Sequence, residues 1–462
     1  MINVDVAIIG TGTAGMGAYK AAIKHTDSIA LIEEAVYGTT CARVGCMPSK
    51  LLIAAADAIH HAESIKPFGG LINGEVQVDG KKVMDRVKFE RDRFVGFVVE
   101  GVNNFKKEHL FKAKAQFIDS NTLQLDNGQI IKAKSIVIAT GSRTFIPNDY
   151  QNLGDRLMTN DDIFDMQTLP SSVAVIGPGV IGLELGQALH RLHVKTTIFG
   201  RGGRVGVLTD PHLKTLSKEV LSEELDLQYC SEIKKLTPSA TNVQIEYLDN
   251  NGNLQTQDFE KVLVTTGRKP NTDNIQIENT GLALNDRGGP IFDSHTMQCS
   301  DSNIFIAGDA NNELPLLHEA SDEGRIAGTN AALYPNIKSG LRRSQLSVVF
   351  CDPQLAMVGD SHDVLTQNNI DFVSGKVSFT GQGRSRVMLV NKGALHVYFD
   401  KNNRRLLGAE MIGPRAENLS HLLAWSHQSK LTVDQMLDMP FYHPVIEEGL
   451  KTALNDAKSK LG

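Results

Sequence analysis

Asn3-Val4-Asp5-Val6-Ala7-Ile8-Ile9-Gly10-Thr11-Gly12-Thr13-Ala14-Gly15 carries a glycine signature between two periodic segments. Residues 3–9 run largely apolar, which predicts a buried strand. The segment after Gly15, through about Lys24, reads as a helix, and a second strand from Ser28 to Ile32 ends at Glu33 and Glu34. Each glycine has its own task. The first makes the turn, the second lets backbone approach a pyrophosphate, and the third lets helix pack on strand, while the helix N-terminus attracts phosphate. Glu33 stands where an acid accepts the hydrogen bonds of a ribose diol. A lone glycine motif is a weak signal. This one has the strand, the helix and the acid around it.

A second unit of the same kind lies further along. Val173 to Ile176 reads as a strand, Gly177-Pro178-Gly179-Val180-Ile181-Gly182 repeats the motif, a helix carries Glu184 to about His193, and Lys195 to Phe199 closes the unit. Two units imply two nucleotide-bearing ligands. The interval from Gly10 to Glu33, counted from Gly177, ends on Gly200 rather than an acid, with Arg201 and Arg204 following. Without the acid the discriminator for a bare 2′-hydroxyl is gone, and arginines pair with a 2′-phosphate. The stretch is either an NADP-tolerant or NADP-preferring site, or a glycine-rich turn with solvated arginines.

Between the units stands Cys41-Ala42-Arg43-Val44-Gly45-Cys46-Met47-Pro48-Ser49-Lys50. Five helical steps give about 7.5 Å of rise and a turn about 140° off the starting face. A disulfide needs Cα atoms about 4.4–6.8 Å apart. A Cys41–Cys46 bond therefore requires a departure from regular helix, which Gly45 permits and Pro48 favours. These residues alone leave three readings open: a reducible redox pair, two unrelated cysteines, or zinc ligands. Zinc lacks a second pair at ligand spacing nearby.

The composition is ordinary for a globular chain of 462 residues, 41% hydrophobic and 22% charged, with a net charge of −6. About three domains are expected from that length. The charge offers no basic footprint for nucleic acid, and no apolar run reaches the ~18 residues of a membrane span. A strand beginning at Val4 leaves no expected room for a signal peptide. Five cysteines are too few for a disulfide framework, so a reducing, cytoplasmic location fits best. Cys230, Cys299 and Cys351 lack partners in sequence and read as structural.

Helices are predicted over about 49–65 and 82–107. In the second, Val83, Val87, Phe94, Phe97, Val98 and Val102 recur at helical spacing and read as core. Strands follow over 111–133, with a turn at Asp126-Asn127-Gly128, and over 135–140. Further strands end at Gly267 and at Gly308-Asp309, where ligands of parallel sheets bind, and 318–332 reads as a helix. From about Leu346 the pattern becomes α+β, with strands over 347–350, 371–379, 386–390 and 394–400, then helices from about 415, 433 and 446. Near the end, His443 and Glu448 stand as a possible base and orienting acid.

Taken in order, these motifs resemble the pyridine nucleotide–disulfide oxidoreductase family, and within it the dihydrolipoamide dehydrogenases, over nearly the whole chain. The likeness rests on the first glycine motif with Glu33, the Cys41–Cys46 stretch with Pro48-Ser49-Lys50, Ala139-Thr140-Gly141, the second motif with Glu184, Thr266-Gly267-Arg268, Ala307-Gly308-Asp309, and His443-Pro444 with Glu448. It implies two Rossmann-like α/β domains and a C-terminal α+β dimerisation domain. The corresponding segments are 1–149 and 271–341 for FAD, 150–270 for NAD or NADP, and 342–462 for the interface. It implies a homodimer in which the histidine crosses between subunits, with no metal. By that likeness Cys41 attacks a lipoamide-like disulfide or dithiol, free or protein-bound, Cys46 contacts the flavin, and His443 moves protons with Glu448 orienting it. Lys50 and Glu184 would pair near the flavin ring. Thr40, Thr140, Gly141, Gly267, Asp309 and Leu317 match cofactor-touching positions. Three departures stand out: Phe441-Tyr442 before His443-Pro444, Ala42-Arg43 between the cysteines, and Gly200 in place of the acid. They keep two alternatives in view, an NADPH-dependent, glutathione-reductase-like reductase of another small disulfide, and a non-catalytic nucleotide-binding flavoprotein.

Overall fold

The computed structural model describes residues 1–286 and 288–462. Its contacts divide the chain into two compact units, one of 1–51, 86–145 and 267–342, the other of 52–85, 146–266 and 343–462.

In the first unit, strand Ile2–Ile9 pairs in parallel with Ile29–Glu33 on one side and Ile130–Ile138 on the other. Leu110–Lys112 and Ile304–Ile306 extend the parallel sheet at its two edges. A hairpin of Ala115–Asp119 and Thr122–Leu125, joined through the turn at 126–128 to Ile130–Ile138, adds antiparallel pairs. Val6, Ala7, Ile8, Leu31, Ile32, Val137 and Ile138 are fully buried. Apolar residues on both faces of a strand are the mark of a sheet covered on both sides. Helix Thr13–Ala22 packs on helix Leu317–Leu333 through small residues. A Cβ at Gly324 would lie 2.2 Å from the Ala14 carbonyl oxygen, so only glycine allows this approach.

The second unit repeats the design. Strands 226–228, 195–199, 172–176, 261–264 and 157–158 form one parallel sheet in that order, beside an antiparallel layer of 232–238, 243–248 and 254–259. Its C-terminal part is a five-stranded antiparallel sheet in the order 346–349, 354–359, 406–413, 394–400, 372–378. Helices Ala416–Gln428 and Glu448–Leu461 cover this sheet. Val397, Phe399, Met411, Leu419, Leu423, Leu450 and Leu454 form its core, where a buried Leu or Phe contributes about 1.5–3 kcal/mol.

The fold class expected from the motifs is the one observed: two parallel-sheet nucleotide-binding arrangements and an α+β C-terminal part. Two local expectations fail. Phe97 is 63% exposed, because helix Gly80–Asn103 buries the stripe of Met84, Val87 and Val102 instead. Residues 386–390 are not a strand. Gln382 caps a helical turn, Gly383–Val387, by accepting the Ser385 N–H, and Leu389 adopts a left-handed φ of +57°, which ends any extended run. Among the described residues no helix is long and apolar enough to cross a membrane.

Candidate active site

Gly10 holds a φ of +107° at the end of the first strand, a conformation that favours glycine. A Cβ at Gly15 would lie 1.9 Å from the Gly10 carbonyl oxygen, whereas at Gly12 it would meet nothing within 4 Å. The first and third glycines thus pack the turn and the second leaves it open, as approach to a pyrophosphate requires. Glu33 closes its strand with Oε2 accepting the Thr11 N–H at 2.8 Å and the Thr11 hydroxyl at 2.7 Å. Its Oε1 accepts the Ala35 N–H at 2.9 Å. At the neighbouring strand end, the buried Thr140 hydroxyl oxygen has no partner in the protein, and Gly141 adopts a φ of +68° with open space where a Cβ would stand. Asp309 accepts the Ser142 hydroxyl at 2.7 Å, and that hydroxyl accepts from Arg268 Nε at 2.7 Å. Ser142, Arg268 and Thr11 thus join the candidate site; Arg268 and Thr11 lie within motifs quoted above without a role of their own, and Ser142 follows one. Gly267 adopts a φ of +129°, and Leu317 opens its helix with its side chain exposed. An open glycine cradle, an orphaned buried hydroxyl and an acid at the strand end fit a dinucleotide.

The cysteines occupy the same unit. Thr39 caps the helix Thr40–Val44 by accepting the Ala42 N–H at 3.1 Å. That helix ends at Gly45, and a new helix, Cys46–Glu63, starts at once. The break supplies the departure from regular helix that a Cys41–Cys46 bond requires. A Cβ at Gly45 would lie 3.0 Å from the Thr40 carbonyl oxygen and 3.2 Å from Cys41 Cα. Both cysteines are thiols in this structure, Cys41 half-buried and Cys46 exposed. The Cys46 thiol bonded to Cys41, together with burial, pushes the Cys41 thiol far up, while the backbone N–H groups of Cys46 and Met47 pull it down. These two N–H groups belong to the first turn of the second helix, where donors without intrahelical partners favour a thiolate. Lys50, one turn on, donates to Ser49 Oγ at 3.3 Å.

The second unit holds the remaining candidates. Gly177 has a φ of +111°, and a Cβ at Gly182 would lie 1.9 Å from the Gly177 carbonyl oxygen, while Gly179 is open. The buried Glu184 accepts the Phe350 N–H at 3.0 Å. Arg201 and Arg204 are exposed on the loop after strand Lys195–Phe199. His443 Nδ1 and Glu448 Oε1 lie 2.9 Å apart. Cys299 and Cys351 are buried, whereas Cys230 is exposed.

Sequence reasoning also missed a buried polar cluster. Asp210 caps the helix Pro211–Ser222 through the His212 and Leu213 N–H groups and bonds His396 Nδ1 at 2.8 Å. Glu410, fully buried, accepts the Thr209 N–H and hydroxyl, the Asp210 N–H and the His362 N–H. Asp210, His212 and His396 bring possible ligand atoms within 4.8 Å of one another. The two imidazoles stack with an interplanar angle of 4°, so their in-plane lone pairs do not converge on one point.

Residues 4–324 match the model of the pyridine nucleotide-disulphide oxidoreductase family, and residues 346–454 match that of its dimerisation domain. The chain is 30% identical to a dihydrolipoyl dehydrogenase of Geobacillus stearothermophilus, over 100% of this chain and 97% of that protein. It is 28% identical to a mercuric reductase of Staphylococcus aureus, over 97% of this chain and 81% of that one. Among solved structures, the HOCl-induced flavoprotein disulfide reductase RclA from Escherichia coli, in its Cu(II) complex, superposes with a TM-score of 0.81 at 22% identity over 100% of both chains. LpdA from Mycobacterium tuberculosis superposes with a TM-score of 0.81 at 21% identity, over 98% of this chain and 99% of that one. At those identities the two structures show the fold alone.

Proposed function

The chain belongs to the pyridine nucleotide-disulphide oxidoreductase family, and from that premise we propose that it passes electrons between NAD(P)(H) and a lipoamide-like disulfide or dithiol through Cys41 and Cys46. The family uses FAD and NAD(P)H. Bound FAD supplies the two-electron relay that a hydride donor and a dithiol need between them.

The observation that carries the reading is the helix break at Gly45. It sets the Cys41 and Cys46 thiols in contact at the N-terminus of the second helix. In the reducing direction the Cys41 thiolate attacks one sulfur of the substrate disulfide, forming a mixed disulfide and releasing one thiolate. His443 protonates that leaving thiolate, with Glu448 orienting the imidazole. Cys46 then attacks the Cys41 sulfur and releases the second thiol, leaving a Cys41–Cys46 disulfide that two electrons from NAD(P)H restore. Dithiol oxidation runs the same steps backwards. We propose a homodimer for this chemistry, because His443 is 79% exposed, and each copy would lend it to the other's cysteines.

Gly200 favours a second reading, an NADPH-dependent reductase of another small disulfide. Steady-state rates across four pairings decide between them: lipoamide or oxidised glutathione, each with NADH or NADPH. Lipoamide turnover exceeding that of glutathione disulfide by more than about tenfold in kcat/KM, a difference of ~1.4 kcal/mol, upholds the first reading. The reverse ratio upholds the second. No turnover in any pairing by FAD-loaded protein sinks both.

A further inference from the structure

We propose that Pro178 fixes the nucleotide specificity of the second glycine unit by denying position 200 an acid, so that the unit takes the 2′-phosphorylated nucleotide NADPH. The inference rests on that unit binding a nicotinamide nucleotide, as in the function proposed above.

The two units of this chain provide an internal comparison. In the first, Thr11 stands between the first two glycines, and its N–H and hydroxyl hold Glu33 Oε2 at 2.8 and 2.7 Å. In the second, the residue between the glycines is Pro178. Proline has neither a backbone N–H nor a hydroxyl, so both donors that position the acid are missing. Its ring also occupies the space. A Cβ at Gly200 would lie 2.5 Å from Pro178 Cγ and 2.8 Å from Cδ. A pyrrolidine ring cannot swing aside as a flexible side chain does. The φ of Gly200 lies outside the left-handed region, so contact with proline, not backbone conformation, requires glycine there.

Nor can the Gly200 backbone retreat. Its N–H donates to the Gln228 carbonyl at 2.8 Å, and its carbonyl accepts the Ser231 N–H at 2.9 Å. The loop is tied to the same proline at its far end, where the Gly206 N–H donates to the Pro178 carbonyl at 2.8 Å. Between these ties, Gly202 and Gly203 turn the chain with φ of +77° and +70°, and Arg201 and Arg204 stand exposed. Neither guanidinium has a carboxylate partner among the described residues. Lys218 Nζ comes within 3.5 Å of where a Gly203 Cβ would stand. The loop offers cations to a phosphate and no carboxylate to a 2′-hydroxyl.

The test is anaerobic flavin reduction by NADPH and by NADH in the FAD-loaded full chain. It needs no disulfide, so failure of the substrate reading leaves the result intact. The wild type should favour NADPH by about 10- to 100-fold in second-order rate constant, the size of one charge-assisted hydrogen bond. Gly200→Glu alone should lower Tm and weaken both nucleotides. Pro178→Thr with Gly200→Glu should recover the Tm and favour NADH. Should these variants fold poorly, Gly200→Ala provides the smaller probe: it should lower Tm beside Pro178 and lower it less in a Pro178→Ala background, where only the Tyr229 carbonyl at 3.3 Å remains close. A Gly200→Glu protein that keeps the wild-type Tm and favours NADH overturns the proposal. So does a wild type that favours NADH, or equal Tm losses from Gly200→Ala in both backgrounds. Reduction by neither nucleotide removes the premise and the inference with it.

Discussion

His443 Nδ1 lies 2.9 Å from Glu448 Oε1, and the other oxygen of that carboxylate accepts the Val445 N–H at 3.2 Å. One side chain thus orients the imidazole and ties down the entry to the last helix. His443, through its hydrogen bond, holds the Glu448 carboxyl below the usual carboxylate range. A depressed folded value means that the pair's contribution is present above the ordinary carboxylate value and is lost as pH falls through the lowered one. Glu448→Ala should cut turnover about 10- to 100-fold, part of what general acid–base catalysis supplies. The deficit should be fully present at pH 8, far above the carboxylate range. A kcat profile against pH checks both.

Cys41→Ser should lower disulfide turnover by at least about 1,000-fold, as loss of a nucleophile does, while the protein purifies yellow. The serine preserves the size of the side chain at the helix break, and the glycine cradle lies elsewhere in the unit. Normal turnover by the purified variant would show that Cys41 is not the attacking thiol. Flavin content by absorbance provides the control.

Gly15→Ala tests the first cradle. The added Cβ would lie 1.9 Å from the Gly10 carbonyl oxygen, forcing helix Thr13–Ala22 away from the strand. Overpacking of this kind costs about 1–3 kcal/mol. Flavin content should fall below about a tenth of wild type, the effect of ~1.4 kcal/mol or more on binding. Full flavin occupancy would show that the helix can shift without loss.

The pair Asp210–His396 should make the second unit acid-sensitive. Burial pushes the Asp210 carboxyl up, but the His396 bond and the N-cap donors outweigh it and hold the group below its ordinary range. Burial holds His396 below its own ordinary value against the pull of Asp210, so a neutral ring donates Nδ1–H to the carboxylate. Both folded values are depressed. Stability is therefore complete above about pH 6.5, the ordinary histidine value, and declines as pH falls. Asp210→Ala should cost about 1–3 kcal/mol, as leaving a buried donor unpaired does, in urea denaturation at pH 7. His396→Gln should flatten the loss of stability between about pH 6.5 and 5.

Several features were legible because they are local. The turn at Gly10, the acid at Glu33 and the repeat at Gly177 follow from backbone sterics and strand periodicity. The break at Gly45 is one that the glycine permits and that a bond between cysteines five residues apart would need. Phe97 was misread because helical spacing identifies an apolar stripe without saying whether a neighbour covers it. Residues 386–390 were misread because the Gln382 cap outweighed a short β-branched and apolar run.

The chain's order of residues alone determined its two glycine units, its cysteine pair and the family to which they belong, since each depends on contacts between near neighbours. Tertiary structure decided what distant residues do to one another. Thr11 became the support of Glu33, Glu410 reached back to Thr209, and the ring of Pro178 came to occupy the place of a side chain at Gly200. Such pairings arise only when the sheet brings separate strand ends together, and no periodicity or spacing rule encodes them.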